Sequence, residues 1–256
     1  MSKRNLLGKI VSIAFFALVA GTAVFAQGLS AQEVMDKHFH VAKPKTSIMN
    51  ASMVIAKSGK SLSRSMKIWG MGDNTKGEEE KKVIKFLAPG DIKGSGFLTF
   101  KKVDGSTESQ LWLPAMGKVR RLSSGPSDQD QAFFGSDFTN RDISGFIESD
   151  FTYELKGFGE GIYTVEAKPK DQMDYERLVY YVDAKDFLSR KTEYYRNGQL
   201  AKSESVTFVA VQDYFMPSVI IMTSTSGSST EMKMGDYKVD QEFGGQIFTE
   251  RFLKQQ

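Results

Sequence analysis

His38 and His40 are the only imidazoles in this chain of 256 residues, and the chain has no cysteine. Metal pairs on a helix use positions i and i+4, which share one face. His38 and His40 are two residues apart and point to different faces, so they read as part of a solvated helix. With no thiol and no third histidine, zinc would be left with carboxylates, and no metal is expected. Nucleophilic catalysis has as little to work with. There is no G-x-S-x-G, and a Ser-His-Asp triad would have to borrow one of the same two histidines. No P-loop or dinucleotide fingerprint is present, because the glycines of residues 70–77 (GMGDNTKG) lead into charge and not into a helix. Asp128, Asp130, Asp137 and Asp142 could in principle form a carboxylate pair. They lie in an irregular, polar stretch and read as loop acids. The expectation is a protein that is not an enzyme and uses no cofactor.

What the chain has in quantity is flexible and aromatic apolar side chains, 12 Met and 19 Phe. Methionine is polarizable and adapts to varied apolar partners. The elements that would position these side chains are strands. Met49, Met53 and Ile55 alternate along one, and Leu62, Met66 and Ile68 along the next, so each set shares a face. Further runs (KKVIKFLAP, GFLTFKK, SQLWLPA, FTYELKG, GIYTVEAKP, YERLVYYVDA, FLSRKTEYYRNG, SESVTFVAVQ, PSVIIMTSTS and TEMKMGDYKVD) bring the expected count to about twelve. Asn197-Gly198 marks a two-residue hairpin. Strands at this spacing without intervening helices predict a mainly β fold built on one antiparallel sheet. Ser30 and Glu33 predict a capped N-terminal helix, and the QIFTERFLKQQ end reads as a short closing helix.

Residues 123–148 break the alternation. They are rich in Gly, Ser and Asp, yet carry Phe133, Phe134, Phe138, Ile143 and Phe146. Long irregular insertions in β domains are commonly functional, and this one reads as a lid whose aromatics close over an apolar site. Its TNRDISGF stretch predicts a short helix capped by Thr139 or Asn140.

At the N-terminus, Lys3, Arg4 and Lys9 precede the apolar run Ile10–Ala20, and Val24-Phe25-Ala26 fits a small-x-small cleavage site. The expectation is a cleaved signal peptide over residues 1–26 and one domain over 27–256, periplasmic and without the cysteine a lipoprotein anchor needs. The whole chain has 34 basic and 31 acidic residues. Without the three basic residues of the signal it is formally neutral, which argues against nucleic acid as a partner.

FLAPGDIKGSGFLTF, followed by LWLPAMGKVRRLSSGPSDQDQAFFGSDFTNRDIS, resembles the outer-membrane lipoprotein-sorting protein family of the LolA/LolB-like superfamily of periplasmic carriers. The matching elements are the P-x-D-x-K-G-x-x-F-L run, the W-L-P-A-x-x-K-V-R-R-L strand and turn, and the F-G-S-D-F-x-x-x-D segment. The resemblance implies an unclosed β-barrel, a curved antiparallel sheet with helices covering its concave face. It implies a carrier of lipoprotein acyl chains or phospholipid, moved toward the outer membrane between an inner-membrane exporter and an outer-membrane acceptor. The alternative is a non-carrier binding or envelope-sensor module on the same fold. On the carrier reading, Met49, Met53, Ile55, Met66, Ile68, Phe86 and Trp112 line the apolar cavity, with Phe133, Phe134 and Phe138 in the lid. Carriers of this kind hold the lid with an arginine on an early strand. Here Arg64, which shares the inward face with Leu62 and Met66, is the candidate latch, with Asp137, Asp142 or lid carbonyls as its partners.

Overall fold

The computed structural model describes residues 28–255; the expected signal peptide lies outside them. Helix α1 (Ala31–Phe39) starts at the expected capping box, in which Ser30 Oγ accepts from the Glu33 amide and the Glu33 carboxylate accepts from the Ser30 amide. Six strands follow: β1 (Thr46–Lys57), β2 (Lys60–Met71), β3 (Glu80–Ala88), β4 (Gly96–Lys101), β5 (Thr107–Leu113) and β6 (Lys118–Leu122). The irregular segment then carries α2 (Pro126–Gln129) and α3 (Asn140–Ser144). Seven more strands come after it: β7 (Phe151–Gly159), β8 (Ile162–Pro169), β9 (Arg177–Asp183), β10 (Ser189–Arg196), β11 (Gln199–Val211), β12 (Tyr214–Ser224) and β13 (Ser229–Val239). A closing helix α4 (Glu250–Lys254) is capped by Thr249.

All thirteen strands form one antiparallel sheet in the order β6-β5-β4-β3-β2-β1-β13-β12-β11-β10-β9-β8-β7, which does not close on itself. The chain therefore meanders outward from β1 to the free edge at β6. It crosses to the other free edge at β7 and meanders back until β13 pairs with β1. This topology assigns the irregular segment its place, because it must span the gap between the two edges. The strand missed in the sequence is β6, KVRRL. It is five residues long, three of them charged, and such short charged strands suit a sheet edge, where they discourage pairing with other chains. Asn197 (φ +51°) and Gly198 (φ +74°) form the expected hairpin turn.

Each face has its own apolar cluster. The larger lies on the concave face and joins Val34 and Met35 of α1 to Met53, Met66, Phe86, Phe97, Phe151 and Leu178 of the sheet and to Phe133 and Phe138 of the crossing segment. Each such side chain, once fully buried, contributes about 1.5–3 kcal/mol. The smaller lies on the convex face, where Val83 and Leu98 meet Phe248 and Leu253, with Trp69, Trp112 and Phe252 around them. A Cβ on Gly96 would sit 2.7 Å from Leu253 Cδ1, so glycine there is what lets α4 approach the sheet. Lys85 Nζ donates to the carbonyl of Leu253 at 2.5 Å, holding the C-terminal end of that helix.

Candidate functional site

The concave face is apolar along the middle of its strands and cationic toward both ends. In β3, Phe86 and Ile84 are followed two residues back by Lys82 and then by Glu80. In β4, Phe97 shares its face with Thr99 and Lys101. In β2, Ile68 and Met66 lead to Arg64 at the other end. The period of two in a strand fixes all these side chains inward. Over them runs the 123–148 segment.

The segment's aromatics occupy the concavity. Phe133 is fully buried, and its ring centroid lies 5.4 Å from Phe97 and 6.0 Å from Phe86. The Phe134 ring lies tilted against Phe86 at 4.4 Å and edge-to-face with Phe133 at 4.9 Å. Met53, Met66, Ile55, Ile68 and Phe86 are all buried in the same cluster, with Met49 packed against it. These expected site residues are thus brought together, but around the loop's own rings and not around an open cavity. Five clefts of about 300–480 Å³ lie elsewhere and are lined by none of them.

Trp112 is a correction. It belongs to the convex cluster, beside Trp69 and Val119, and its indole N–H is buried without a partner. Leu111, Trp112 and Leu113 are consecutive apolar residues, so alternation alone could not orient them; Leu111 is the one that packs inward.

Main-chain carbonyls of the segment receive the sheet's cations. The Arg64 guanidinium donates to Phe134 O, and lies 6.0 Å from the Phe86 ring centroid. Lys82 Nζ donates to Ile143 O at 2.9 Å, and Lys101 Nζ to Phe146 O at 3.3 Å. Phe134 holds a left-handed backbone (φ +49°, ψ +36°), which is uncommon for a bulky residue, and the following Gly135 is also left-handed.

The expected acidic partners of Arg64 turn the other way. Asp137 accepts from Ser228 Oγ and from Thr230 Oγ1 (2.7 Å) of the β12–β13 side. Asp142 takes the ammonium of Lys202 on β11, in an ion pair whose two side chains are almost fully buried. Lys202 also donates to Asp137 O at 3.2 Å and lies within 5 Å of the Tyr175 and Tyr194 ring centroids. Beside this pair, burial and the Asp142 charge push the Glu204 carboxyl up to about 7, while Tyr194 Oη donates to it at 3.2 Å. Lys202 and Glu204 were not singled out in the sequence, although KSES at the start of a strand does place both charges on one face. Thr139 caps α3 as expected, with Asp142 completing the box.

His38 is a second correction. It is half-buried, not solvated: Nδ1–H donates to Phe187 O at 2.9 Å, and burial lowers its pKa. His40 is exposed, and its ligand-capable atoms lie within 4.8 Å of those of Asp36 and Glu148. Asp36 is the i−4 neighbour on the helix, a spacing that attention to histidine pairs alone overlooks. Nδ1 of His40 is also within 2.8 Å of the Asp36 carbonyl.

No helix among the described residues is long and apolar enough to cross a membrane. No curated protein matches the sequence. Solved structures do. A DUF1329-family protein from Desulfovibrio piger is 24% identical, with TM-score 0.79 over 87% of this chain and 97% of that one. An outer membrane lipoprotein-sorting protein domain from Vibrio parahaemolyticus is 23% identical, with TM-score 0.80 over 88% and 98%. A LolA superfamily protein from Nitrosomonas europaea is 18% identical, with TM-score 0.68 over 88% and 100%. The fold is therefore LolA-like, and the chain belongs to the family whose model, described as "Uncharacterized protein", matches residues 78–255.

Proposed function

We propose that this protein is a periplasmic carrier that shelters the acyl chains of a lipoprotein or lipid beneath the 123–148 segment. The form described above, with the segment's rings inside the concavity, is its closed state. The observation that carries the reading is that the concavity is filled by rings of the crossing segment. The concave face presents Met53, Met66, Phe86 and Phe97 to aromatic rings that belong to a crossing segment, and Arg64 tethers that segment through the Phe134 carbonyl. An acyl chain costs about 0.8 kcal/mol per CH₂ exposed to water. A sheet able to exchange Phe133 and Phe134 for such a chain would offset that cost. Such a carrier receives cargo at the inner membrane and releases it at the outer.

Native mass spectrometry and lipid extraction of the protein purified from the periplasm test this directly. Co-purifying acyl species are expected. Arg64→Leu should leave the sheet folded but weaken retention of the closed form, changing acyl-probe binding and release rates. A protein free of acyl species, whose Arg64→Leu variant binds a fatty-acyl probe as the wild type does, would mean that Phe133 and Phe134 are permanent core. The fold would then serve a binding or sensor role.

A further inference from the structure

Lys101, a buried cation on the concave face, has no close carboxylate partner. Lys101 is 7% exposed, and burial pushes its ammonium down to about 8. Among the described residues the carboxylate within ion-pair distance is Glu80 at 3.8 Å, with Asp150 acting from further off, and its carbonyl partner, Phe146 O, is at 3.3 Å. Both are longer than the 2.7–2.9 Å of a well-made charge-assisted bond. Glu80 is also shared. Lys43 lies 4.0 Å from it, Lys82 depresses its pKa together with Lys101 and Lys43, and one of its oxygens is buried without a hydrogen bond. Three lysines thus converge on the half-buried Glu80; the buried Asp73, 3.7 Å from Lys43, is drawn on by Lys76 as well.

Lys101 opens onto a cleft of about 470 Å³ whose rim adds Lys43, Lys170 and His40. The one carboxylate lining it, Glu148, is engaged by Gln32 and set beside Asp36. Hydroxyls of Thr75 and Ser149 also line the cleft. Its floor is different in kind. Phe39 and Phe146 pack against the main apolar cluster, and Phe151 belongs to it. Cations and hydroxyls around the mouth, with aromatic rings leading into the apolar interior, describe an amphiphile with an anionic head.

We infer that this cleft is a binding site for a phosphate group carried by an amphiphile, with Lys101 as its buried contact and Lys43 and Lys170 at its rim. The inference rests on the carrier reading for the acyl part and on Lys101 and its neighbours alone for the head. A tetrahedral phosphate supplies several acceptor oxygens to the Lys101 ammonium, which the Phe146 carbonyl now satisfies without neutralising.

Titration calorimetry with three probes decides it: short-chain phosphatidic acid, diacylglycerol of the same chains, and inorganic phosphate. Phosphatidic acid should bind at least about tenfold tighter than the diacylglycerol, the order expected for one charge-assisted contact. Lys101→Met should abolish that difference while leaving the diacylglycerol affinity in place. Lys170→Gln, a change at an exposed position that leaves the core untouched, should reduce it partially. Equal affinities for the two lipids, or a difference that survives Lys101→Met, would overturn the site. If inorganic phosphate binds through Lys101 while neither lipid binds, the amphiphile is wrong and the carrier reading fails with it, and the cleft is a site for free phosphate.

Discussion

Glu204 should give the folded protein a pH dependence opposite to that of an ordinary ion-paired carboxylate. It lies on the inner face of β11, two residues from Lys202, and faces Asp142, Tyr194 and Tyr180; burial is the main cause of its displacement and Asp142 the second. Its carboxyl titrates near 7 in the folded chain against 4.5 ordinarily. Between those values the native state holds a proton that the unfolded chain has released. Stability must therefore fall as pH rises from about 4.5 to about 7, and stay lowered above it. The gap corresponds to about 3 kcal/mol. Urea denaturation at closely spaced pH values measures it. Glu204→Gln, which keeps an acceptor for Tyr194 Oη, should remove this component and be the more stable protein at pH 8. Wild-type and variant profiles that run parallel between pH 4.5 and 7 would refute the reasoning, since the pH dependence would then come from other groups.

Lys101 acts in a separate window. Its ammonium is held down at about 8 from 10.5, so stability should rise with pH from about 8 to 10.5, and Lys101→Met should flatten that rise in the same denaturation series. Trp112→Ala should cost about 2 kcal/mol, less than a fully buried aromatic because Trp112 is only half-buried, and should leave acyl-probe affinity unchanged, because its ring packs on the convex side. Thr139→Ala removes the cap of α3 and should cost about 1 kcal/mol, read as a shift in the urea midpoint.

The strands were legible because alternation survives wherever one face is buried and the other wet. Met53, Ile55, Met66 and Ile68 were placed on the right face by period two alone. The same signal failed at Leu111-Trp112-Leu113, because this part of the sheet is covered on both sides, by the crossing segment and by α4. It failed at β6, whose charges suit an edge and mask a strand. The cap residues Ser30 and Thr139 were readable because capping is local chemistry. What could not be read was pairing across the fold. That Asp142 meets Lys202, sixty residues on, follows from the crossing segment lying between two sheet edges, and that topology has no local signature. The filling of the concavity by Phe133 and Phe134 was equally hidden, since a lid over a cavity and a lid inside it have the same composition.

The two sides of the crossing segment are held by bonds of different cost, and this fixes where it must open. On the β11–β13 side, Asp142 and Lys202 are a buried ion pair, and Asp137 is bonded to Ser228 and Thr230. Separating such a pair leaves an uncompensated buried charge, worth about 3–5 kcal/mol. On the β2 side, Arg64 meets a neutral carbonyl, and losing a hydrogen bond to a charged group costs about 1.5–3 kcal/mol. Arg64 is half-buried and can turn to water. The residue it holds, Phe134, is in a left-handed conformation that release would relax. Opening should therefore begin at residues 133–136 and pivot about residues 137–142. Hydrogen exchange resolves the two sides. The Ser136 amide, which donates to Phe133 O within the tip, should exchange before the Asp137 amide, which donates to Thr230 Oγ1 on β13. Arg64→Leu should speed the first and spare the second. If both amides exchange together in the wild type and accelerate together in the variant, the segment moves as one body and the hinge does not exist.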